Sequence, residues 1–322
     1  MKTMTMFTPK KRATLHHVTR MADFTPDSLA RLLELAEAMK DGAAHCEDAL
    51  HGRSIALIFE KPSTRTRVSF AAAVARLGAT PIALTPQELQ LGRGESIADT
   101  ARSLSGYVDA IVIRSFAQAT VDELAQWATV PVVNALSDDH HPCQALADLL
   151  TIKEEFGDLA GRKVAFIGDG GDNVAHSLLE AGALAGLDVT VACPPDYEPD
   201  PAVLDTALRL AEESGADLQV VRDPRLAAPG AHAVYADVWA SMGEEAEREE
   251  RQRALGPYQV TEELMGLAQP GAIFMHCLPA KRGEEVAASV IDGPQSAVWR
   301  QSANRLPTEE AVLMLVTRGA DR

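Results

Sequence analysis

Residues 54–70 read SIALIFEKPSTRTRVSF and pass from an apolar run through a polar loop into a helical pattern. The apolar run at 54–59 predicts a buried strand. After the loop, Phe70, Val74 and Leu77 recur at the spacing of one helix face. A strand followed closely by a helix is the unit from which α/β folds are built, so this stretch predicts that class.

The loop between this strand and this helix predicts an anion site. Free backbone N–H groups and the positive end of the helix dipole favour a negative ligand at a helix start. Ser63, Thr64 and Thr66 add hydroxyl donors, and Arg65 adds a planar cation that suits phosphate. The Gly-Lys-Ser/Thr ending of a Walker loop is missing. The alternative is an ordinary capped helix with solvated arginines.

The composition predicts a globular protein of two domains. The chain has 322 residues, of which 46% are hydrophobic and 24% charged, so neither a disordered nor a membrane-spanning chain is expected. The formal net charge of -16 argues against a binder of nucleic acid or of membrane surfaces, because both need a positive field. An anionic substrate would therefore depend on a local cluster of cations.

The cysteines and the first residues bear on the compartment. Cys46, Cys143, Cys193 and Cys277 are widely separated and form no C-x-x-C pair, which argues against a zinc ribbon or a disulfide scaffold. We therefore expect a reducing, cytoplasmic location. Residues 1–20 lack the apolar core of a secretory signal and are interpreted as a basic N-terminal tail. A short organellar presequence is the alternative.

Apolar strands alternate with helical patterns along the chain after the tail, which predicts parallel sheets covered by helices on both faces. The predicted fold is α/β, with two doubly wound parallel-sheet domains joined by linking helices and a C-terminal helix that packs back on the first domain. The first helix is predicted from Thr25 and the last from Asn304. The predicted divisions are the tail at 1–20, a first domain at 21–150, a second at 151–300 and the C-terminal helix at 301–322; later strands are predicted at 81–84, 109–114, 130–134, 163–167, 189–192, 218–221, 232–236 and 272–275.

Polar side chains follow several of these strands, where ligands gather in parallel sheets. Arg114 closes one strand, and DDHHPCQ at 138–144 follows the next. Pro142 suits a first helical turn, so His141 and Gln144 lie about one turn apart and can face one ligand. A metal site is one alternative, but neighbouring residues rarely converge on one ion, and no metal is predicted. A capped helix with exposed histidines is the other.

The segment GDGGDN at 168–173 resembles a dinucleotide-binding fingerprint. Its third glycine position is Asn173, however, and no acidic residue closes the second strand at the expected place. We therefore interpret Asn173 as a polar group that faces a cleft.

Three later segments carry further polar residues. Asp237 and Ser241 follow a predicted strand and offer a carboxylate and a hydroxyl that could hold an ammonium group. Cys277 follows the last predicted strand beside basic residues, although a lone cysteine is more often a small buried hydrophobe. The dense run of charges at 244–253 predicts a solvated helix face.

Three ordered motifs carry a resemblance to a known family. STRTR at 63–67, HPCQ at 141–144 and HCLP at 276–279 resemble the signatures of the aspartate/ornithine carbamoyltransferases, and the match covers nearly the whole chain after the tail. Asp237 followed by SMG at 241–243 narrows the resemblance to the ornithine-specific members.

The resemblance implies transfer of the carbamoyl group of carbamoyl phosphate to the δ-amine of L-ornithine, giving L-citrulline and phosphate in arginine metabolism. It also implies a homotrimer with shared active sites and no cofactor. The implied catalytic residues are Arg65, Arg114, His141 and Cys277. The implied ligands of carbamoyl phosphate are Ser63, Thr64, Arg65, Thr66, Arg114, His141, Gln144, Cys277, Leu278, Arg305 and, from a neighbouring subunit, Gln90; those of ornithine are Asn173, Asp237, Ser241 and Met242.

The chain departs from the family pattern at Asp172, Lys281 and Pro307, none of which removes a side chain implied in binding. Three alternatives stay open at this point. The chain could carbamoylate another amine, it could be a nucleotide-dependent oxidoreductase that uses the loop at 168–173, or it could be a catalytically silent relative that only binds ligands.

Overall fold

A computed structural model of the chain describes residues 15–44, 46–89, 94–240 and 247–319, with side chains described as far as Thr317. In the first half, the described strands form one parallel sheet in the order β2–β1–β3–β4. The strands are β1 (Ser54–Phe59), β2 (Thr80–Leu84), β3 (Ala110–Arg114) and β4 (Val132–Leu136), and the helices are α1 (Pro26–Lys40), α2 (Thr64–Arg76), α3 (Ile97–Ser105), α4 (Gln118–Trp127) and α5 (Pro142–Phe156).

The second half forms another parallel sheet, in the order β7–β6–β5–β8–β9. Its strands are β5 (Lys163–Ile167), β6 (Asp188–Ala192), β7 (Leu218–Val221), β8 (Ala233–Tyr235) and β9 (Ile273–Met275), and its helices are α6 (Asn173–Ala185), α7 (Pro201–Ser214), α8 (Pro224–Ala227), α9 (Arg248–Leu255), α10 (Glu262–Met265), α11 (Ala288–Ile291) and α12 (Val298–Gly319).

The apolar run of β1 is buried on both faces of its sheet. Ile55 and Leu57 point into the core beneath α1 and α2, whereas Ala56 and Ile58 point into the opposite core, which also holds Val121 of α4. Side chains alternate across a strand, so a strand covered by helices on both sides must be apolar at every position. The β1 stretch therefore determines the layered fold as expected.

The register of the first sheet sets the ends of β1 and β3 side by side. Phe59 pairs with Arg114, and the Glu60 N–H donates to the Arg114 carbonyl at 2.9 Å. The loop that follows β1 consequently begins next to Arg114, at the carboxyl edge of the sheet.

The sheet topology and the returning C-terminal helix confirm the predicted fold class. Helix α12 contacts α1, α2 and α5, so it packs on the first half as expected. It begins at Val298, however, six residues before the predicted start at Asn304, because 298–303 has no apolar period but is held by the buried Val298 and Gln301. Pro307 lies inside this helix and has no N–H to donate to the carbonyl four residues earlier.

The predicted boundary at residue 150 stays a prediction. It falls inside α5, which contacts α1 and β4 of the first half and α6 of the second half. One continuous apolar core also joins Leu57 of the first sheet to Phe166 of the second. No helix of the described chain combines the length and apolarity that a membrane span requires.

Candidate active site

Both sheets direct the carboxyl ends of their strands toward one cavity of about 580 Å³. The loop after β1, the ends of β3 and β4, and the segments after β5, β8 and β9 all contribute to its wall. The predicted site residues in this wall are Ser63, Thr64, Arg65, Thr66, Arg114, His141, Asn173, Asp237, Cys277, Leu278 and Arg305.

Of the four other predicted residues, Gln144 alone is described. Gln90, Ser241 and Met242 lie outside the described residues. Gln144 is described and buried, but it stands behind Arg305, so its contact with a ligand stays a prediction.

A larger cavity of about 920 Å³ adjoins the first one and shares Lys61 and Asn173 with it. Its wall carries the carboxylates of seven acidic residues against the cations of Lys61 and Arg251. Because carboxylates repel an anion, we assign the anion site to the smaller cavity, which collects the arginines.

The predicted anion loop is an N-capped helix start. Ser63 has an extended backbone (φ -157°, ψ 119°), and its Oγ accepts from the Thr66 N–H at 3.2 Å. The first turn of α2 contains no acidic residue, so the dipole field at this end is not neutralised locally. Thr66 is buried and Arg65 is exposed. Helix cap and anion site are therefore compatible readings of one segment.

Arg114 is a buried cation at the end of β3, with 8% of its surface exposed. Burial, together with the positive charges of Arg305 and Arg65, lowers the pKa of Arg114 to about 10, while the nearby Cys277 opposes this shift. Its Nε has no hydrogen-bond partner within the described chain. At neutral pH the group stays charged, so an anion in the cavity would relieve both its desolvation and its repulsion from the other arginines.

Arg305 lies opposite, on α12, and is held in place from behind. Its Nε and Nη2 both donate to Glu309 Oε1, at 3.0 and 2.7 Å, and its Nη1 donates to Gln144 Oε1 at 3.0 Å. Burial works against the charge of Arg305, but Glu309 more than compensates, so the pKa of Arg305 is raised. Arg305 thus presents a fixed cation to the cavity.

His141 precedes α5 and is neutral. Its backbone N–H donates to Ser177 Oγ at 2.7 Å, and its ring Nδ1 has no partner among the described residues. Burial, and then the charges of Arg305 and Arg114, lower the pKa of His141 well below its usual value. A neutral imidazole has one donor and one acceptor nitrogen, so His141 can donate to a carbonyl oxygen without adding charge.

The opposite wall carries a carboxylate and a thiol. Asp237 Oδ1 accepts from the Cys277 Sγ–H at 3.0 Å and from the Val238 N–H at 2.7 Å. Asn173, the first residue of α6, donates from Nδ2 to the Ser137 carbonyl of the first half at 3.1 Å. One wall is therefore suited to an anion and the other to an ammonium group.

The turn that bears Cys277 is held by a buried histidine. Leu278 adopts a left-handed conformation (φ 60°), which costs a non-glycine residue about 1 kcal/mol. Its N–H donates to His276 Nδ1 at 2.9 Å, and His276 Nε2 lies 3.2 Å from Glu285 Oε1. Ligand atoms of Asp237, His276 and Cys277 lie within 4.8 Å of one another, but both ring nitrogens of His276 are engaged in this turn.

Cys277 is a thiol and not a thiolate. Burial, followed by the charge of Asp237, raises the pKa of Cys277 well above its usual value. Since the thiolate is the nucleophilic form, an orienting role fits this cysteine better than covalent catalysis.

We expect iodoacetamide at pH 8 to alkylate Cys277 slowly and to alkylate it faster in the Asp237→Asn variant, because loss of the carboxylate lowers the thiol pKa. Peptide mass spectrometry gives the rate. Asp172→Asn is the matched control, since Asp172 raises the same pKa more weakly, and it should accelerate labelling less. Equal rates in wild type and Asp237→Asn would contradict this assignment.

Within the described part of the charge run, residues 247–250 and 253 are exposed, as expected of a solvated face, whereas Arg251 is partly buried. Arg248 lines the cavity, and Arg251 Nη1 donates to Asp169 Oδ2 at 2.6 Å with both side chains largely covered. Lys61 also lines the cavity, although the sequence analysis did not select it; its position in the loop two residues after the end of β1 was the available signal.

The glycine loop after β5 is filled by the chain itself. The Gly170 N–H donates to the Tyr197 carbonyl at 2.9 Å, and a Cβ at Gly170 would lie 2.8 Å from that oxygen. The Gly171 N–H donates to Asp169 Oδ1 at 2.9 Å. These N–H groups are the ones a pyrophosphate would need, so the geometry disfavours the dinucleotide alternative.

Comparisons with known proteins point to one family. A family model described as "Aspartate/ornithine carbamoyltransferase, carbamoyl-P binding domain" matches residues 16–154, and one described as "Aspartate/ornithine carbamoyltransferase, Asp/Orn binding domain" matches residues 160–316. An ornithine carbamoyltransferase of Symbiobacterium thermophilum is 53% identical over 296 residues, which is 91% of this chain and 95% of that protein.

Relatives from Pyrococcus furiosus support the same assignment. Its "Ornithine carbamoyltransferase, anabolic" is 52% identical over 303 residues, which is 93% of this chain and 95% of that protein. A solved structure of ornithine carbamoyltransferase from that organism superposes with a TM-score of 0.91 at 50% identity, covering 95% of this chain and 98% of that one.

Proposed function

Because the chain belongs to the aspartate/ornithine carbamoyltransferase family, its reaction is the transfer of a carbamoyl group from carbamoyl phosphate to L-ornithine in arginine biosynthesis, and we propose that the cavity described above carries it out. The observation that supports this most directly is the contrast between its walls. Arg65, Arg114 and Arg305 line one part of this cavity of about 580 Å³, and the Asp237–Cys277 pair lines another.

The anion wall receives carbamoyl phosphate in this proposal. The start of α2, with Ser63, Thr64, Arg65 and Thr66, takes the phosphate, and Arg114 lies between it and the carbamoyl group. His141 and Arg305 face the carbonyl oxygen. Gln144 would reach the carbamoyl group only if its bond to Arg305 rearranges.

The δ-nitrogen of ornithine attacks the carbonyl carbon and forms a tetrahedral intermediate, whose oxygen takes up negative charge. The carbon–oxygen bond to phosphate then breaks, phosphate leaves with the bonding electrons, and the proton lost from nitrogen leaves with phosphate. Arg114 and the neutral donor His141 stabilise the charge that develops on oxygen. The amine must be neutral to attack, although its free pKa is about 10, so exclusion of water from the cavity assists the step.

The ornithine wall holds the amino acid through Asp237, with Asn173 beside it and Ser241 and Met242 completing the wall. Asp237→Asn should raise the KM for ornithine about tenfold or more, since it removes a charge-assisted hydrogen bond, and should leave the KM for carbamoyl phosphate nearly unchanged. Steady-state kinetics with each substrate varied in turn measures both. Asp196→Asn, in the adjoining acidic cavity, is the matched control and should change neither constant. Equal rises in both KM values would exclude this role for Asp237.

The proposed function is tested by offering the purified protein ornithine, putrescine, N-acetylornithine and aspartate, each with carbamoyl phosphate. We expect phosphate release and a carbamoylated product with ornithine at a kcat/KM at least a hundredfold above the other amines, because the site must leave buried polar groups unpaired with the wrong substrate. A preference for another amine would identify an enzyme of the same family with a different substrate. Absence of product with all four amines would identify a catalytically silent relative. Binding of NAD(P), measured by calorimetry, would support the oxidoreductase alternative.

We also propose a homotrimer in which Gln90 reaches the active site of a neighbouring subunit. In support, β2 is an edge strand of the first sheet among the described residues, and the hydrophobic side chains of Ile82 on β2 and Val68 on α2 are exposed. Light scattering should give three times the chain mass. Mixing the inactive variants Gln90→Ala and Arg114→Met should then restore activity, because some mixed sites receive both native residues; no recovery would place Gln90 in its own subunit's site.

A cytoplasmic location is part of the proposal. Cys143, Cys193 and Cys277 form no disulfide within the described residues, which fits a reducing compartment. Cell fractionation that recovers the protein outside the cytoplasm would contradict it.

A further inference from the structure

A buried chain of hydrogen bonds connects the two walls of the cavity. It starts at Arg305, whose Nη1 donates to Gln144 Oε1, and passes from Gln144 Nε2 to Asp148 Oδ1 at 2.8 Å. Gln301 Nε2 donates to the same Asp148 oxygen at 2.7 Å, and Gln301 Oε1 accepts from the His276 N–H at 2.9 Å. This series of hydrogen bonds therefore ends at the backbone N–H of His276, the residue directly before Cys277.

The members of this chain come from three separate parts of the fold. Gln144 and Asp148 lie on α5, Gln301 and Arg305 lie on α12, and His276 follows β9. Asp148 and Gln301 have no exposed surface, and neither lines the cavity. Because both side chains are buried and each is hydrogen-bonded to two other members of this chain of bonds, a change in either must shift neighbouring elements or leave a further buried polar group unpaired.

The direction of each bond in the chain is fixed. The Arg305 guanidinium has only donors, so Gln144 must turn its oxygen toward Arg305 and its NH₂ toward Asp148. The backbone N–H of His276 is likewise a donor, so Gln301 must turn its oxygen toward His276 and its NH₂ toward Asp148. Asp148 Oδ1 has to accept from both amides, and this is the one arrangement of the three side chains that satisfies both ends.

We propose that Asp148 and Gln301 are positioning residues that hold Arg305, on the carbamoyl phosphate wall, and Cys277, on the ornithine wall, at a fixed separation. Neither touches a substrate. The kinetic part of this inference rests on the proposed function, whereas the binding part does not. A displacement of about 1 Å between reacting groups can lower a rate a hundredfold, which is why a residue outside the cavity can matter.

The first test compares Asp148→Asn with Asp148→Leu, which are similar in size. Asparagine keeps an oxygen that accepts from both glutamines, so kcat should stay within about threefold of wild type. Leucine removes the acceptor, so kcat should fall about tenfold or more, with a smaller change in either KM. Inorganic phosphate, measured by calorimetry, should bind Asp148→Leu about tenfold more weakly than Asp148→Asn, because Arg305 is one of the three arginines whose charge attracts an anion into the cavity, and it loses its support. Equal kcat and equal phosphate affinity in the two variants would overturn the inference.

The second test uses Gln301→Glu, which keeps the acceptor for His276 but sets a carboxylate against Asp148. The charged and titratable groups that face Asp148 from packed elements are Arg305 on α12, Tyr235 on β8 and Cys277 after β9. One proton shared between the two carboxyls restores the bond, so the ratio of kcat in Gln301→Glu to kcat in wild type should rise as the pH is lowered from 9 to 6. A ratio that does not change with pH would contradict the inference.

Gln118→Glu is the matched control. Gln118 is also a buried glutamine that donates to an aspartate, with Nε2 at 2.9 Å from Asp122 Oδ1, but it does not line the cavity or contact the chain of bonds. It should lower the temperature of unfolding without a pH-dependent loss of kcat. Wild-type citrulline formation tests the proposed function separately, and the phosphate affinities remain decisive if that activity is absent.

Discussion

Replacing Arg114 with methionine should lower kcat/KM for carbamoyl phosphate about a hundredfold to a thousandfold, the usual effect of removing one donor to a developing oxyanion. The same substitution should leave the free protein as stable as wild type or more so. Arg114 is buried, its Nε has no partner among the described residues, and Arg305 and Arg65 repel it. Methionine keeps most of the volume and removes the desolvated charge.

Thermal unfolding and steady-state kinetics on the same preparation measure both effects. Added inorganic phosphate should raise the unfolding temperature of the wild type, because a ligand that binds the folded state stabilises it, and should raise that of Arg114→Met much less. Arg76→Met, which removes an exposed arginine of α2 outside the cavity, is the control and should alter neither kinetics nor the phosphate effect. A clear loss of stability in free Arg114→Met would show that Arg114 is primarily a structural residue.

The sequence predicted only part of the candidate site. The anion loop was predictable because its causes are local. An apolar run forms β1, and Ser63, three residues before Thr66, caps the following helix by accepting from the Thr66 N–H. The shared edge was predictable as well, since parallel strands place their carboxyl ends together. That reasoning predicts Arg114, His141, Asp237 and Cys277 at or just after the carboxyl ends of strands, and all four line the cavity.

What the sequence did not reveal depends on long-range packing. Arg305 meets Gln144 across 161 positions, and Gln301 meets Asp148 across 153, and no local pattern predicts such pairs. The residues at 298–303 have no apolar period, so the sequence does not predict that α12 already begins at Val298. Similarly, a dense charge run gives no indication that Arg251 will find Asp169 at a distance of 82 positions.

Removal of Arg305 should destabilise the folded protein, unlike removal of Arg114. Arg305→Met leaves Glu309, which has no exposed surface, without the guanidinium that holds its Oε1 from two nitrogens. Breaking a buried ion pair from one side typically costs about 3–5 kcal/mol of unfolding free energy. We therefore expect Arg305→Met to lower both the urea midpoint of unfolding and kcat/KM, whereas Arg114→Met lowers only kcat/KM.

The double variant Arg305→Met/Glu309→Gln separates the two roles of this pair. With the carboxylate neutralised, no charge is left buried and unpaired, so the urea midpoint should recover most of its loss. Catalysis should not recover, because the cation that faces the carbonyl oxygen is still missing. Glu309→Gln alone keeps that cation and its bond to Gln144, so its kcat/KM should fall far less than that of Arg305→Met. If the double variant regained both stability and activity, Arg305 would act only through Glu309. Arg114 and Arg65 would then be the only arginines of this wall that bind carbamoyl phosphate.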